Sequence, residues 1–199
     1  MLKKLVTVVS LATLFSSLAL ADAKQELLSY LQNNTSFTAN FTLVAKDPKG
    51  KVINQQSGSL KGQRPSNLAL HTTAPTENYV SVYNNEVVYY DPFVEQVTIS
   101  QLDQSQPMPF IYLLNDTGKA WANAQVSKKG NCFLVSDSKL QAYYKNIQAC
   151  VVNGALTEFS YTEINGNKAT YTFTNYKATP LSAKDFKIDY PSSAQVVRK

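Results

Sequence analysis

The chain has 199 residues, of which 44% are hydrophobic and 17% are charged, and its formal net charge is +5 at pH 7. This length suits one domain with one core. The lysines are scattered, with no run longer than Lys128-Lys129. Such mild basicity argues against a nucleic-acid-binding surface, so we expect no nucleic-acid partner. A weak preference for an acidic partner or an anionic surface stays open.

The first residues have the pattern of a secretory signal. Lys3 and Lys4 precede an apolar stretch that ends at Leu20, and Ala19-Leu20-Ala21 supplies a small-x-small cleavage site. We therefore predict that residues 1–21 are cleaved and that residues 22–199 form a single exported domain. Because no Cys lies near the cleavage point, we do not expect a lipid anchor on the mature N-terminus.

The exported part begins with a predicted helix that is followed by predicted strands. Asp22 can cap a helix that runs to Asn33, with an apolar stripe formed by Ala23, Leu27, Tyr30 and Leu31. Strict alternation then predicts a strand whose buried face carries Phe37, Ala39, Phe41 and Leu43. Further antiparallel strands are predicted at 52–60, 68–70, 79–83 and 86–90. Gly58 and Gly62 indicate tight curvature or the close approach of another element.

The stretch 87–99 holds two apolar runs on either side of an Asp91-Pro92 corner. In the second run, Val97 and Ile99 alternate with polar residues, which predicts a half-buried strand. The stretch contains neither a nucleophile–base pair nor a cluster of metal ligands. It therefore predicts part of an apolar concave surface and not a reaction centre.

The second half of the chain predicts a short helix and then more strands. Pro109 suits the first turn of a helix over 110–114. Strands are predicted around Phe133 and Ile147 and at 156–164, 169–176 and 186–190, with hairpin turns at 153–154 and 165–166. In an exported protein, Cys132 and Cys150 are expected to form one structural disulfide that staples a long hairpin.

These elements together predict an α+β fold, mainly antiparallel β: an unclosed, strongly curved barrel with a lid of two or three short helices over a hydrophobic cavity. A search for chemistry finds little. His71, the single histidine, has the pattern of a surface or hydrogen-bonded residue, although a hydrolase that uses it stays open. No residue spacing fits a metal site or a phosphate loop. We predict no cofactor, no metal and no enzymatic activity.

Arg64 is unusual because it is the only arginine before Arg198 in a lysine-rich chain, and Pro65 follows it. Its planar guanidinium can donate to several carbonyl oxygens at once, which a lysine cannot do. The residue pattern alone favours a solvent-exposed arginine at the end of a strand.

Several blocks resemble the periplasmic outer-membrane lipoprotein carrier proteins, the LolA family, over the whole length after the signal. They are 36–42, 58–60, Arg64-Pro65, Pro75, 90–97 with its Asp-Pro-Phe-Val-Glu-Gln run, Pro109-Phe110, and 186–191. Where the family often has an aromatic-rich stretch after Arg-Pro, this chain has Leu68-Ala69-Leu70, and Asn84-Asn85 stands where Asp-Gly is usual.

The resemblance implies a monomeric carrier in the periplasm of a Gram-negative bacterium. It would accept acylated lipoproteins from an inner-membrane ABC transporter and pass them to the outer-membrane receptor LolB. It also implies that Arg64 is a latch that bonds backbone carbonyls of the lid. The receptor itself, which shares the fold, and a generic periplasmic lipid-binding or sensor module are the alternatives. The residues expected to line an acyl cavity are Phe41, Leu43, Leu60, Leu68, Leu70, Val88, Tyr90, Phe93, Val97, Ile99, Leu27, Leu31, Phe110, Ile111 and Leu114.

Overall fold

Twelve strands form one sheet in the part of the chain that the structure describes, residues 13–103, 108–115 and 121–199 of a computed structural model, with side chains described from residue 22. The helices are α1 (Thr13–Asn33), α2 (Pro109–Leu114), α3 (Ser138–Gln141) and a 3-10 turn (Ala183–Phe186). The strands are β1 (Ser36–Lys46), β2 (Val52–Gln63), β3 (Asn67–Ala74), β4 (Asn78–Tyr83), β5 (Glu86–Asp91), β6 (Gln96–Gln101), β7 (Gln125–Lys129), β8 (Cys132–Ser136), β9 (Tyr144–Val152), β10 (Ala155–Glu163), β11 (Lys168–Ala178) and β12 (Gln195–Arg198).

The strands lie in the order β12-β6-β5-β4-β3-β2-β1-β11-β10-β9-β8-β7, so the sheet begins and ends with different strands and does not close on itself. All pairings are antiparallel except that of β12 with β6. One hydrophobic cluster joins the inner face of the sheet, from Val82 on β4 to Val126 on β7, to α1 and α2. The predicted unclosed antiparallel sheet with a helical lid is therefore confirmed.

The alternation of apolar and polar residues in the sequence determines which side chains lie on the inner face of the sheet. Phe37, Ala39, Phe41 and Leu43 are all buried, as predicted for β1. Gly58 and Gly62 permit the close contacts that were expected of them. A Cβ on Gly58 would lie 2.0 Å from the His71 carbonyl oxygen, and one on Gly62 would lie 2.6 Å from the Phe37 ring. Larger side chains at these two positions would push neighbouring elements apart.

Helix α1 packs as its apolar stripe predicts but begins earlier than predicted. Leu27 is completely buried, and Ala23 and Leu31 are nearly so. The described part of the helix already begins at Thr13, so Asp22 lies within the helix and is not its cap. The apolar, helix-favouring residues before Asp22 continue the helix towards the N-terminus. Cleavage after residue 21 stays a prediction.

The C-terminal segment differs from the prediction of a strand over 186–190. A 3-10 turn ends at Phe186, and the chain then crosses the outer face of β4–β6 until β12 pairs with β6. Phe186 and Ile188 pack on that face while Lys187 between them is exposed. This alternation resembles that of a strand although the segment around it does not join the sheet, which explains the error.

The disulfide between Cys132 and Cys150 is present, as predicted, and joins residues directly opposite each other on β8 and β9. It closes a loop of 18 residues and stabilises this hairpin by about 3 kcal/mol. In the described part of the chain β7 is an edge strand of the sheet, and the disulfide thus staples the β7–β9 end covalently.

We expect an Asp185→Asn substitution to loosen the C-terminal segment without disturbing β7–β9. The carboxylate of Asp185 accepts hydrogen bonds from the backbone N–H and hydroxyl of Ser182 and from Lys61 Nζ, and these bonds lower its pKa to about 2. The stabilisation is complete above the ordinary pKa of 3.8 and is lost as the pH falls through about 2. Hydrogen exchange should show faster exchange in 183–198 only; unchanged exchange there would contradict the expectation.

Candidate functional site

A cavity of ≈ 350 Å³ lies between the inner face of the sheet and the start of α2. We call it the central cavity. Its wall is formed by side chains from β1–β5, β10 and β11 and from the segment that leads into α2. The lining residues are Phe41, Gln56, Leu60, Leu68, Leu70, Thr72, Asn78, Val80, Tyr89, Met108, Pro109, Phe110, Phe159, Tyr161, Tyr171 and Phe173.

Phe110 from α2 joins the lid to the aromatic wall of the sheet. Its ring meets Phe159 edge to face at 5.1 Å and Phe173 at 6.0 Å between centroids. Burial raises the pKa of the Tyr161 and Tyr171 hydroxyls, so both stay protonated and neutral at any physiological pH. None of the described residues that line the central cavity carries a charge at neutral pH.

This composition indicates what the central cavity can bind. An uncharged wall of aromatic and aliphatic side chains offers burial to an apolar ligand. Within the described ranges, no group of three or more His, Cys, Asp or Glu side chains could hold a metal ion. The site therefore suits the burial of an apolar chain.

Arg64 lies just after β2, where α1 and α2 meet the sheet. It borders a small apolar pocket together with Leu27 and Leu31 of α1 and Phe110 and Leu114 of α2. The terminal guanidinium nitrogens are shielded from solvent, and burial lowers the pKa of Arg64 to about 10. The side chain is thus a cation at neutral pH, held among apolar residues of both lid helices.

Polar contacts that the sequence did not reveal hold the lid helices in place. The Tyr112 hydroxyl on α2 donates a 2.8 Å hydrogen bond to the buried carboxylate of Asp137, which also caps α3. The indole of Trp121 stacks on Tyr112 and donates to its carbonyl oxygen at 3.3 Å. Lys24 of α1 donates to the Trp121 carbonyl oxygen at 2.7 Å. These contacts tie α1 and α2 to the β7–β9 end of the sheet.

Helices α1 and α2 above an apolar cavity in an open sheet match the lid that the sequence blocks implied, and comparisons with known proteins show the family. The family model described as "Outer membrane lipoprotein carrier protein LolA" matches residues 32–189. This chain belongs to the LolA family. An outer-membrane lipoprotein carrier protein of Aliivibrio fischeri (strain MJ11) is 34% identical over 187 residues, which cover 92% of this chain and 93% of the relative.

A second relative, the outer-membrane lipoprotein carrier protein of Proteus mirabilis (strain HI4320), is 33% identical over 98% of both chains. Among solved structures, an uncharacterized conserved protein from Thermus thermophilus shares the fold, with a TM-score of 0.57 at 16% identity over 88% of this chain and 99% of that one. None of the helices in the described part of the chain is long and apolar enough to cross a membrane.

The structure brings together only part of the set of residues predicted to line the cavity of this LolA-family chain. Phe41, Leu60, Leu68, Leu70 and Phe110 line the central cavity. Leu27, Leu31 and Leu114 instead line the small pocket beside Arg64. Leu43 and Ile111 are buried in the core and border neither space.

In the stretch 87–99, most of the residues that were predicted to face the cavity lie on the opposite, outer face of the sheet. Tyr90, Val97 and Ile99 form a second cluster on the outer face, with Val88 packed against it, under the C-terminal segment. Tyr89 faces the central cavity in their place. Both faces of β5 carry large apolar side chains, so alternation could not reveal which face is the inner one. The prediction that Phe93 lines the cavity was also wrong, because Phe93 is 86% exposed in the turn between β5 and β6.

The sequence prediction missed the opposite wall of the cavity, formed by Phe159 and Tyr161 on β10 and Tyr171 and Phe173 on β11. Each pair is spaced by two residues, so its members share one face. That spacing could have predicted which residues share a face. It could not predict that β11 pairs with β1, because the two strands are more than a hundred residues apart in the chain.

A larger groove of ≈ 590 Å³ lies on the outer face, between β4–β6 and the C-terminal segment. Four charged side chains border it: Glu86, Lys187, Asp189 and Arg198. Burying an acyl chain there would desolvate these groups, which costs free energy. We therefore assign the candidate site to the smaller but uncharged central cavity.

Proposed function

We propose that this protein is a periplasmic carrier that holds the acyl chains of a lipoprotein in the central cavity and keeps the cargo soluble between two membranes. The observation that supports it most strongly is the uncharged, aromatic and aliphatic wall under a helical lid. The printed names of the relatives, outer-membrane lipoprotein carrier proteins, point in the same direction. We propose transport by reversible binding, without catalysis.

Reversibility follows from the size of the hydrophobic effect. Each buried methylene contributes about 0.8 kcal/mol, so complete burial of several acyl chains would amount to tens of kcal/mol. A carrier without an energy source could not release a ligand bound so tightly, and the sequence holds no nucleotide-binding motif. Binding must therefore be partial, or part of its free energy must be offset within the protein.

We propose that the lid supplies this offset through Arg64. In the empty state the guanidinium would bond backbone carbonyls of the lid helices. Entry of acyl chains would move α2, break those bonds and expose apolar surface. The free energy that closure recovers would then favour release. The position of Arg64 between α1, α2 and the sheet supports this role.

We further propose two partners for the carrier: an inner-membrane ABC transporter that releases lipoproteins, and the receptor LolB, which accepts them at the outer membrane. The protein would act as a monomer, since a single chain supplies both the sheet wall and the lid of the cavity.

The proposed function is tested by purifying the protein from periplasm and identifying by mass spectrometry what is bound to it. We expect lipoproteins with intact acyl chains. A cargo whose acylated Cys is replaced by Ser serves as the control and should not bind. Recovery of free phospholipid or fatty acid alone would indicate a lipid-binding or sensor module and would overturn the carrier proposal.

We expect a His71→Ala substitution to leave carrier activity intact. The imidazole lies on the outer face, stacks on Tyr79 at 4.2 Å, and forms a 2.8 Å hydrogen bond with the exposed carboxylate of Glu77. It does not border the central cavity. Transfer of a purified lipoprotein should proceed at the wild-type rate, which would remove a hydrolase that uses His71; a complete loss of transfer in a folded variant would contradict the expectation.

A further inference from the structure

Five lysines gather at one end of the sheet, where the turns between β1 and β2 and between β10 and β11 lie beside the start of β9. These two turns touch, because a Cβ on Gly166 would lie 2.9 Å from Pro48 Cγ. Pairing places Lys46 opposite both Lys168 and Val52. We call this region the basic rim; its exposed cations are Lys46, Lys49, Lys51, Lys145 and Lys168.

The basic rim also exposes aliphatic side chains. Val52 is 46% exposed, Ile53 is 51% exposed and Ile164 is 56% exposed. Val52 and Ile53 begin β2, whereas Ile164 lies in the turn between β10 and β11, so they form separate aliphatic tips. Aliphatic tips among lysines are typical of surfaces that enter the interface of a bilayer.

The acidic residues of the basic rim do not neutralise it. Asp47 accepts hydrogen bonds from the backbone N–H groups of Lys49 and Lys51 within its own turn. Glu163 accepts from the side chains of Asn165 and Asn167. The basic rim therefore contains five lysines and two carboxylates, so positive charge is in excess. Along the rest of this end of the sheet the charge is reversed, with Glu77, Asp91 and Glu95 at the turns between β3 and β6.

The central cavity lies towards the same end of the sheet. Gln56, Thr72 and Asn78, its polar lining residues, lie in the parts of β2, β3 and β4 that are nearest to this end. Leu43 pairs with Gln56 on one side and with Tyr171 on the other, three residues before Lys46. A surface bound to the basic rim would thus lie close to the polar end of the cavity.

We propose that the basic rim docks on an anionic phospholipid bilayer, with the lysines at the headgroups and Val52, Ile53 and Ile164 in the interface. The charge of this arc complements an anionic surface, and its separate aliphatic tips fit a deformable lipid interface better than they fit a folded acidic protein. Docking would hold the carrier with its cavity near the membrane from which an acyl chain leaves or which it enters.

Flotation of the purified mature protein with vesicles, without any cargo, tests this docking. We expect binding to vesicles that contain phosphatidylglycerol, little binding to pure phosphatidylcholine, and a loss of binding as the NaCl concentration rises. Each lysine near an anionic surface is worth about fivefold in partitioning, so Lys49→Glu/Lys51→Glu should lower binding by about 25-fold or more.

The matched control is Lys177→Glu/Lys184→Glu, which changes the net charge equally at exposed positions outside the basic rim. It should bind nearly as the wild type does, while Ile164→Ser should weaken binding and keep its salt dependence. Equal losses in both double variants, or binding to polyglutamate but not to vesicles, would overturn the proposal. Since no cargo is present, such a failure would leave the carrier proposal standing.

Discussion

An Arg64→Leu protein is expected to load acylated lipoprotein but to release it to the receptor at least about tenfold more slowly than the wild type does. The substitution replaces a buried cation with an aliphatic side chain in the wall between α1 and α2. Hydrogen bonds to a charged group contribute about 1.5–3 kcal/mol. If closure of the lid restores such bonds, their loss removes the driving force for release, and about 1.4 kcal/mol already amounts to tenfold.

The release rate is measured with purified carrier, acylated lipoprotein and receptor. Arg198→Leu is the matched control, since it removes the other arginine of the chain, which is exposed on β12. Arg64→Lys retains the charge but not the planar fork, so it should rescue release only in part. Normal transfer by Arg64→Leu would remove Arg64 from the mechanism while leaving the cavity as the binding site.

A Leu70→Trp substitution is expected to weaken binding of acylated cargo by roughly thirtyfold. Leu70 lines the central cavity between Leu60 and Val80, and it is only partly buried because it borders that empty space. An indole there would displace the equivalent of about 2.5 methylenes of ligand. At about 0.8 kcal/mol each, this loss is about 2 kcal/mol.

Binding by this variant is measured by titration with an acylated peptide, and folding is checked by thermal unfolding. Leu134→Trp provides the control, because Leu134 is exposed on β8 and lies outside the central cavity. Unchanged affinity in a folded Leu70→Trp protein would mean that acyl chains bind elsewhere.

The sequence allowed the architecture to be predicted wherever one face of an element is apolar and the other is polar. The stripe on α1 and the alternation of β1 are such cases, and both were confirmed. Turn residues with restricted conformations were equally informative: Asn84 and Asn85 both have positive φ in the turn between β4 and β5.

Prediction failed where both faces of a strand are apolar. On β5, Val88 and Tyr90 lie under the C-terminal segment while Tyr89 meets the central cavity. The pattern cannot reveal that a distant segment covers the outer face. The same limit hid the role of Trp121, whose contacts with Tyr112 and Lys24 join three elements distant in the chain. The site could therefore be predicted as a surface of the fold but not residue by residue.

The claim that acyl chains occupy the central cavity, and not the larger outer groove, is tested most directly by site-specific photo-crosslinking. A photoreactive residue at Leu70 or Tyr171 reports on the central cavity, and one at Val88 or Tyr190 reports on the outer groove. With radiolabelled acyl chains on a purified lipoprotein, we predict label on the carrier from the first pair and not from the second. Label captured only at Val88 or Tyr190 would contradict the assignment of the site.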